Sequence, residues 1–333
     1  MRMPFLIILA VLCMTACKPK PVDPVVGAPP FPLQLERFDS AFFNMDTIHT
    51  KQSVESLLAH YPNFTTLFLT RILMLKSVED TAFIKAFYRI YQPVYAATQK
   101  VNAIQIAQPL LADGLRRFHF YFPKYPLTNK LTLFVGPFEQ FANILTKDAV
   151  AIGLQMHLGN GSSWYNSEQM QTMYPSYMSS KFTPNYIPLK SLENILNDMS
   201  PLSETGNLLS QFLETGKRQY ILKVCLPSLA DTVLLGYTNK QLNVLSKEES
   251  KIWQYIVAEK LIYSTNDKDI NVLMNEGAEN EIFGEAFPGN VGKFIGYKIV
   301  SDWMHQKPND AGSLEKLMAT SAQQIFNEAK YAP

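Results

Sequence analysis

The chain has 333 residues, 30 basic against 29 acidic, with 47% hydrophobic and 12% aromatic content. That is enough apolar material for one sizeable core or two smaller ones. No Lys/Arg-dense stripe interrupts the balance, so nucleic acid is excluded as a partner on charge grounds: phosphate binding needs a clustered basic surface.

The first sixteen residues read as a targeting segment. Arg2 supplies a positive start, and Pro4 to Leu12 form a short apolar run. A secretory h-region needs roughly 7–15 residues, whereas a membrane span needs about 20. Met14-Thr15-Ala16-Cys17 follows, an apolar residue, two small ones and a cysteine. This is the pattern of a bacterial lipoprotein cleavage site, so residues 1–16 are expected to be removed and Cys17 to carry lipid. An ordinary signal peptide with an incidental cysteine is the alternative. Cleavage would discard Arg2 and no acid, leaving a neutral mature chain of 317 residues. Residues 17–33 then read as a tether. Six prolines fall in the fifteen residues from Lys18 to Pro32, and at about 3 Å per residue such a chain reaches some 40 Å. Several acyl chains on one cysteine hold firmly to a bilayer, while a single chain binds only marginally.

Residues 34–333 show no strong linker and read as a single globular domain, α+β in class, predominantly helical with a small sheet. The spacing predicts a helix over 53–60, stopped at Tyr61-Pro62 and resumed over 63–75. Ser77 and Asp80 stand at capping-box spacing before a long helix through Phe83, Phe87 and Tyr91. A further helix over 102–122 carries a candidate kink at Pro109. Two buried-strand runs follow, at 131–136 and 149–158. Helices are then expected over 189–199, 205–226 and 247–263. An acidic loop occupies 277–288, and Asn290 caps a helix to His305. A short helix begins at Ser313, and Thr320 caps the last one, to Ala329.

Little in the chain carries recognisable chemistry. Its histidines are His49, His60, His119, His157 and His305, no two of them four apart, so the helical zinc pair of H-E-x-x-H is absent. A site assembled from distant histidines is the alternative; His119 and His157 read instead as packing residues. Asp267-Lys268-Asp269-Ile270-Asn271 opens like a calcium loop, but Val272 stands where the turn needs glycine and Ala278 where a bidentate acid belongs. A solvated acidic loop is the expectation, with weak calcium binding the alternative. Gly159-Asn160-Gly161-Ser162-Ser163 lacks the G-x-S-x-G frame of a nucleophile elbow. Cys225, the one cysteine beyond Cys17, lies in an apolar run and reads as a small buried hydrophobe. Gly292 and Gly296 share one helix face, which suits close helix packing, or else a ligand against bare backbone.

Several segments carry a resemblance: Phe38-Asp39-Ser40-Ala41-Phe42-Phe43; Ala151 to Gly159; Gly216-Lys217-Arg218-Gln219-Tyr220; Leu235-Gly236-Tyr237-Thr238; and Pro288-Gly289-Asn290-Val291-Gly292 with Gly296-Tyr297-Lys298. In this order, behind a lipoprotein cleavage site, the chain resembles the gliding-motility lipoprotein GldB family of Bacteroidetes. The resemblance implies a lipid-anchored cell-envelope protein supporting gliding, with other gliding or secretion-machinery envelope proteins as partners. That family is in turn distantly similar to predicted zincin-like peptidases, which implies a degenerate zincin-like fold. The stretch matching their zinc helix is about 173–178, where no histidine stands and Pro175 interrupts. Glu214 falls near their glutamate ligand. Tyr174, Tyr177 and Glu214 are therefore the candidate cleft, with no metal or cofactor expected. A non-catalytic binding or scaffold role is the leading expectation. A divergent envelope hydrolase and a chaperone for exported proteins or lipids are the alternatives, the last resting on Phe83, Phe87, Tyr91 and Tyr95, a stripe that otherwise reads as core. Lys18-Pro19-Lys20 lacks the acids that mark surface export in relatives, which favours a periplasm-facing position; the choice of inner or outer membrane stays open.

Overall fold

The computed structural model describes residues 23–77, 80–139, 142–202 and 206–333. Residues 1–16 and Cys17, on which the signal-peptide and lipidation expectations rest, lie outside the described residues.

The proline-rich segment is not free along its whole length. From Asp23 onward it lies on the body: Val25 is fully buried, and Ala28, Phe31 and Leu33 pack against the core. Arg117 holds Asp23 at 2.6 Å, and Arg116 donates to the carbonyls of Val25 and Ala28. A composition of prolines predicts extended chain, but it does not reveal that two arginines wait for that chain's polar groups.

Strand β1 (Gln34–Glu36) leads into helix α1 (Phe38–Phe43). Phe38, Phe42 and Phe43 all point inward and meet Phe64, Phe68 and Phe87 edge-on or tilted at ring separations of 4.9–6.3 Å. Buried Asp39 is held by Arg37 in a two-toothed pair (2.9 and 2.8 Å) and by Gln99 at 3.2 Å. A buried carboxylate persists only when its lone pairs are met this way. Helix α2 (Thr50–His60) ends at Tyr61, and α3 (Pro62–Leu67) starts on Pro62, which has no N–H to leave unsatisfied. α3 loosens into a π-turn over Phe68–Ile72.

Helices α4 (Thr81–Val101) and α5 (Ala103–Tyr121) are joined by a single left-handed residue, Asn102. Asp80, not Ser77, caps α4, accepting from the Phe83 amide at 3.0 Å. The aromatic stripe of α4 is split: Phe87 stacks on Tyr91 at 4.4 Å and Tyr95 on Phe43 at 4.9 Å, while Phe83 is 45% exposed. Pro109 sits inside an uninterrupted α5. His119, expected to pack, points to solvent, because its neighbours Phe118 and Tyr121 occupy the inner face.

Strands β2 (Lys130–Phe134), β3 (Asn143–Leu145) and β4 (Val150–Gly153) complete a mixed sheet in the order β1-β2-β4-β3. β1 and β4 flank β2 in parallel, with Gln34 opposite Lys130 and Leu131 opposite Val150; β3 runs antiparallel to β4. Strand β4 stops five residues earlier than its apolar run suggests. Its partner β2 ends at Phe134, and the chain goes over into a 3-10 turn at Leu154–Met156. The Gln155 side-chain oxygen there accepts the Gly136 amide at 3.0 Å, a bond a further ladder rung would have made. His157 therefore follows a turn, buried between Asn143 Oδ1 (2.8 Å) and the Thr183 carbonyl (3.2 Å).

The second half is helical: α6 (Glu168–Met173), α7 (Ser176–Ser179), α8 (Tyr186–Met199), α9 (Leu208–Cys225), α10 (Asp231–Leu235), α11 (Asn239–Lys247) and α12 (Glu249–Ala258). The long helix expected over 247–263 is thus broken at Glu248 and again at left-handed Lys260. Asp267–Met274 is helix α13, not a loop: Asn266 caps it, and Asp267 and Asp269 are first-turn acids complementing the helix dipole. Helices α14 (Val291–His305), α15 (Ser313–Ala319) and α16 (Ala322–Ala329) close the chain, with Ser321 rather than Thr320 as the final cap.

Among the described residues, helices α9 and α14 pack most intimately of the helix pairs. A Cβ on Gly296 would stand 2.6 Å from the Phe212 carbonyl carbon, and one on Gly216 would stand 2.9 Å from the Tyr297 nitrogen. Backbone meets backbone there, so the glycine stripe serves packing and leaves no room for a ligand. Cys225, at the end of α9, is fully buried, and burial pushes its thiol far up. The molecule is α+β, predominantly helical, around a four-stranded sheet.

Candidate functional site

Two of the sequence segments singled out above meet at a cavity of about 360 Å³. The first is Leu235-Gly236-Tyr237-Thr238. Gly236 ends α10 at φ 75°, a conformation that favours glycine. Thr238 then opens α11 through a full capping box with Gln241. Buried Tyr237 between them donates to the Asn290 carbonyl at 2.6 Å. The second segment is Pro288-Gly289-Asn290-Val291-Gly292. Gly289 lies against Gly277, its amide donating to the Gly277 carbonyl at 3.0 Å, where a Cβ would strike Asn275 O at 2.7 Å. Left-handed Asn290 caps α14.

Charge converges on the space between them. Lys181, just after α7, pairs with Glu276 at 2.8 Å. Lys293, in the first turn of α14, lies 3.6 Å from the other oxygen of Glu276 and donates to the Leu235 carbonyl at 3.1 Å. A Cβ on Gly236 would sit 3.3 Å from Lys181 Nζ and 3.7 Å from Lys293 Nζ. Those two distances together bring the ammonium nitrogens within about 7 Å of each other, where repulsion is substantial unless an anion lies between. Glu276 is that anion. Burial pushes its carboxyl up, and Lys293 and Lys181 more than offset this, so it is held below its ordinary value. One carboxylate does not fully compensate two ammoniums. For Lys293 burial outweighs the attraction of Glu276, and its ammonium is pushed down. Lys190 and Glu193 on α8, nearby, pair with each other at 2.8 Å and add no net charge.

The remaining wall is aromatic and polar. Tyr177 and Tyr186 line it, and neither hydroxyl has a hydrogen-bond partner among the described residues. Burial pushes the Tyr186 phenol up to about 12, so it remains a proton donor at neutral pH. Asn160, Asn239 and Gln241 contribute amides.

Of the three residues expected to mark a cleft, only Tyr177 lines this cavity. Tyr174 packs edge-on against Phe182, and its hydroxyl donates to the Phe138 carbonyl at 3.0 Å. Glu214 is on α9, paired with buried Lys217 at 2.6 Å. The zinc of the distantly similar predicted peptidases does not fit these residues. The matching stretch is two short helices broken at Tyr174-Pro175, and the Glu214 carboxylate is taken by an ammonium. Among the described residues, no group of three or more His, Cys, Asp or Glu is placed to hold a metal ion. Sequence reasoning passed over Lys181, Glu276 and Lys293. One signal was available: Lys293 interrupts an otherwise apolar first turn, Val291-Gly292-Lys293-Phe294-Ile295, immediately after a helix cap.

Among the described residues, no helix is long and apolar enough to cross a membrane. No curated protein and no solved structure is significantly similar to the chain. Residues 20–333, which hold every wall of the cavity, match the family described as gliding motility protein GldB. The chain belongs to this family of gliding-motility lipoproteins.

Proposed function

We infer that this protein is a lipid-anchored, non-catalytic binding component of the gliding apparatus. It is exported behind residues 1–16, acylated on Cys17 and held on the periplasmic side of the envelope. The observation that carries the reading is the family match over residues 20–333, directly behind Met14-Thr15-Ala16-Cys17. Attachment of the chain at Asp23 adds to it. Cys17 stands six positions before Asp23 of the Arg117–Asp23 pair, so at about 3.1 Å per residue the body rides within roughly 20 Å of the lipid. A domain held this close suits steady contact with other envelope proteins better than a search for distant substrates. The engagement of Tyr174 and Glu214 in internal bonds also favours binding over hydrolysis.

The test is genetic and biochemical at once. Cys17→Ser should move the chain out of the membrane fraction and stop gliding, while Glu214→Ala should leave gliding intact. A Cys17→Ser chain that stays with membranes would refute the anchor. Loss of gliding in Glu214→Ala at normal protein level would refute the non-catalytic reading.

A further inference from the structure

We propose that the cavity between Gly236 and the start of α14 is a binding site for a small acidic sugar, with Lys181 and Lys293 receiving its acid group.

Three features support this. First, two ammoniums converge on one carboxylate, Lys181 at 2.8 Å and Lys293 at 3.6 Å. The longer contact leaves Lys293 short of a close anionic partner in a mostly buried position, a state that a second anion relieves. Second, Gly236 has no side chain in the space both ammoniums face, and its neighbour Leu235 turns a carbonyl, not a side-chain acid, toward Lys293. A side chain at Gly236 would crowd both ammoniums, so the bare backbone there leaves them at the cavity wall beside Glu276. Third, the phenols of Tyr177 and Tyr186 are unpartnered among the described residues, and the amides of Asn160 and Asn239 border the same space. Aromatic faces suit the C–H faces of a sugar ring, and free hydroxyls and amides suit its hydroxyl groups. A cavity of about 360 Å³ lies in the size range of small-ligand pockets. A carboxylated sugar and a phosphorylated one share this chemistry. A bare inorganic anion would leave the tyrosine wall unused.

The proposal goes beyond the anchor and the partner proteins, and its failure leaves that reading standing, because it is read by ligand binding rather than by location or gliding. The experiment is a titration of the full chain in detergent with glucuronate, glucose 1-phosphate and, as the neutral control, glucose. At least one acid should bind at least about tenfold more tightly than glucose, a difference set by the charge contact alone. Lys181→Gln, at a partly exposed position, should weaken that binding at least about tenfold. Tyr177→Phe should weaken it severalfold, and it keeps the test open if Lys181→Gln fails to fold. The proposal is overturned if neither acid binds below about 10 mM, if glucose binds as well as the acids, or if acid binding survives both substitutions unchanged.

Discussion

Replacing Gly296 with alanine puts the α9–α14 seam to a direct test. The added Cβ would lie 2.6 Å from the Phe212 carbonyl carbon, and the carbonyl oxygen is closer still. Unstrained carbon contacts sit at about 3.5 Å, so the helices must part by about 1 Å. The obstacle is backbone, which cannot swing aside like the end of a side chain. A gap of that size forfeits a quarter to a half of each contact it opens, and it opens between fully buried residues, Phe212 and Leu213 on one side and Ile295 and Ile299 on the other. Overpacking of this kind costs about 3 kcal/mol at the upper end of its usual range. Alanine returns about 1 kcal/mol through its better helix propensity. The net loss is about 2 kcal/mol or more, a fall in Tm of about 3 °C or more for a body of this size. Thermal melting by circular dichroism reads this directly. Gly312→Ala is the control: its Cβ would meet nothing closer than the Asp310 carboxylate oxygen at 3.6 Å, so its melt should be unchanged or slightly raised. A Gly296→Ala protein as stable as the wild type would refute the seam as described.

Other outcomes follow from buried groups. Burial pushes His157 down to about 4, so the folded protein holds it neutral while the unfolded chain takes a proton near pH 6.5. Its stability is whole above pH 6.5 and falls toward pH 4, by about 3 kcal/mol; urea unfolding across that range checks it, and a flat or rising profile would contradict it. Cys225 should resist thiol reagents in the native state and react once unfolded. Asp80→Ala removes the cap of α4 and should cost about 1 kcal/mol. Asp23→Ala should expose residues 23–33 to limited proteolysis while leaving the melt of the body within about 1 kcal/mol of the wild type.

The helices with an unbroken apolar rhythm, among them α4, α5, α8 and α14, were readable from the chain, because a buried face repeats at helical spacing. The features that escaped are tertiary. Strands β1 and β3 are three residues each and never fully buried, so no alternation announces them; only the partner strand makes them strands. The run 149–158 carries continuous apolar residues whether extended or turned, and the length of β2 decides where β4 ends. Asp267 and Asp269 suit a cation loop and a helix first turn equally well, and Asn266 as cap selects the helix. The cavity was legible only in part. Asn290 stood out as a cap and Gly236 lay in a segment carrying the family resemblance, but the meeting of Lys181, Glu276 and Lys293 joins residues up to 112 apart in the chain, which no local pattern encodes.

The most direct test of an anchored binding component is crosslinking in living cells, followed by recovery of the full chain from envelope membranes. The account predicts that the wild-type protein brings down the same envelope partner reproducibly and that Cys17→Ser loses it. A wild-type chain that crosslinks to no envelope protein while gliding proceeds normally would contradict the account.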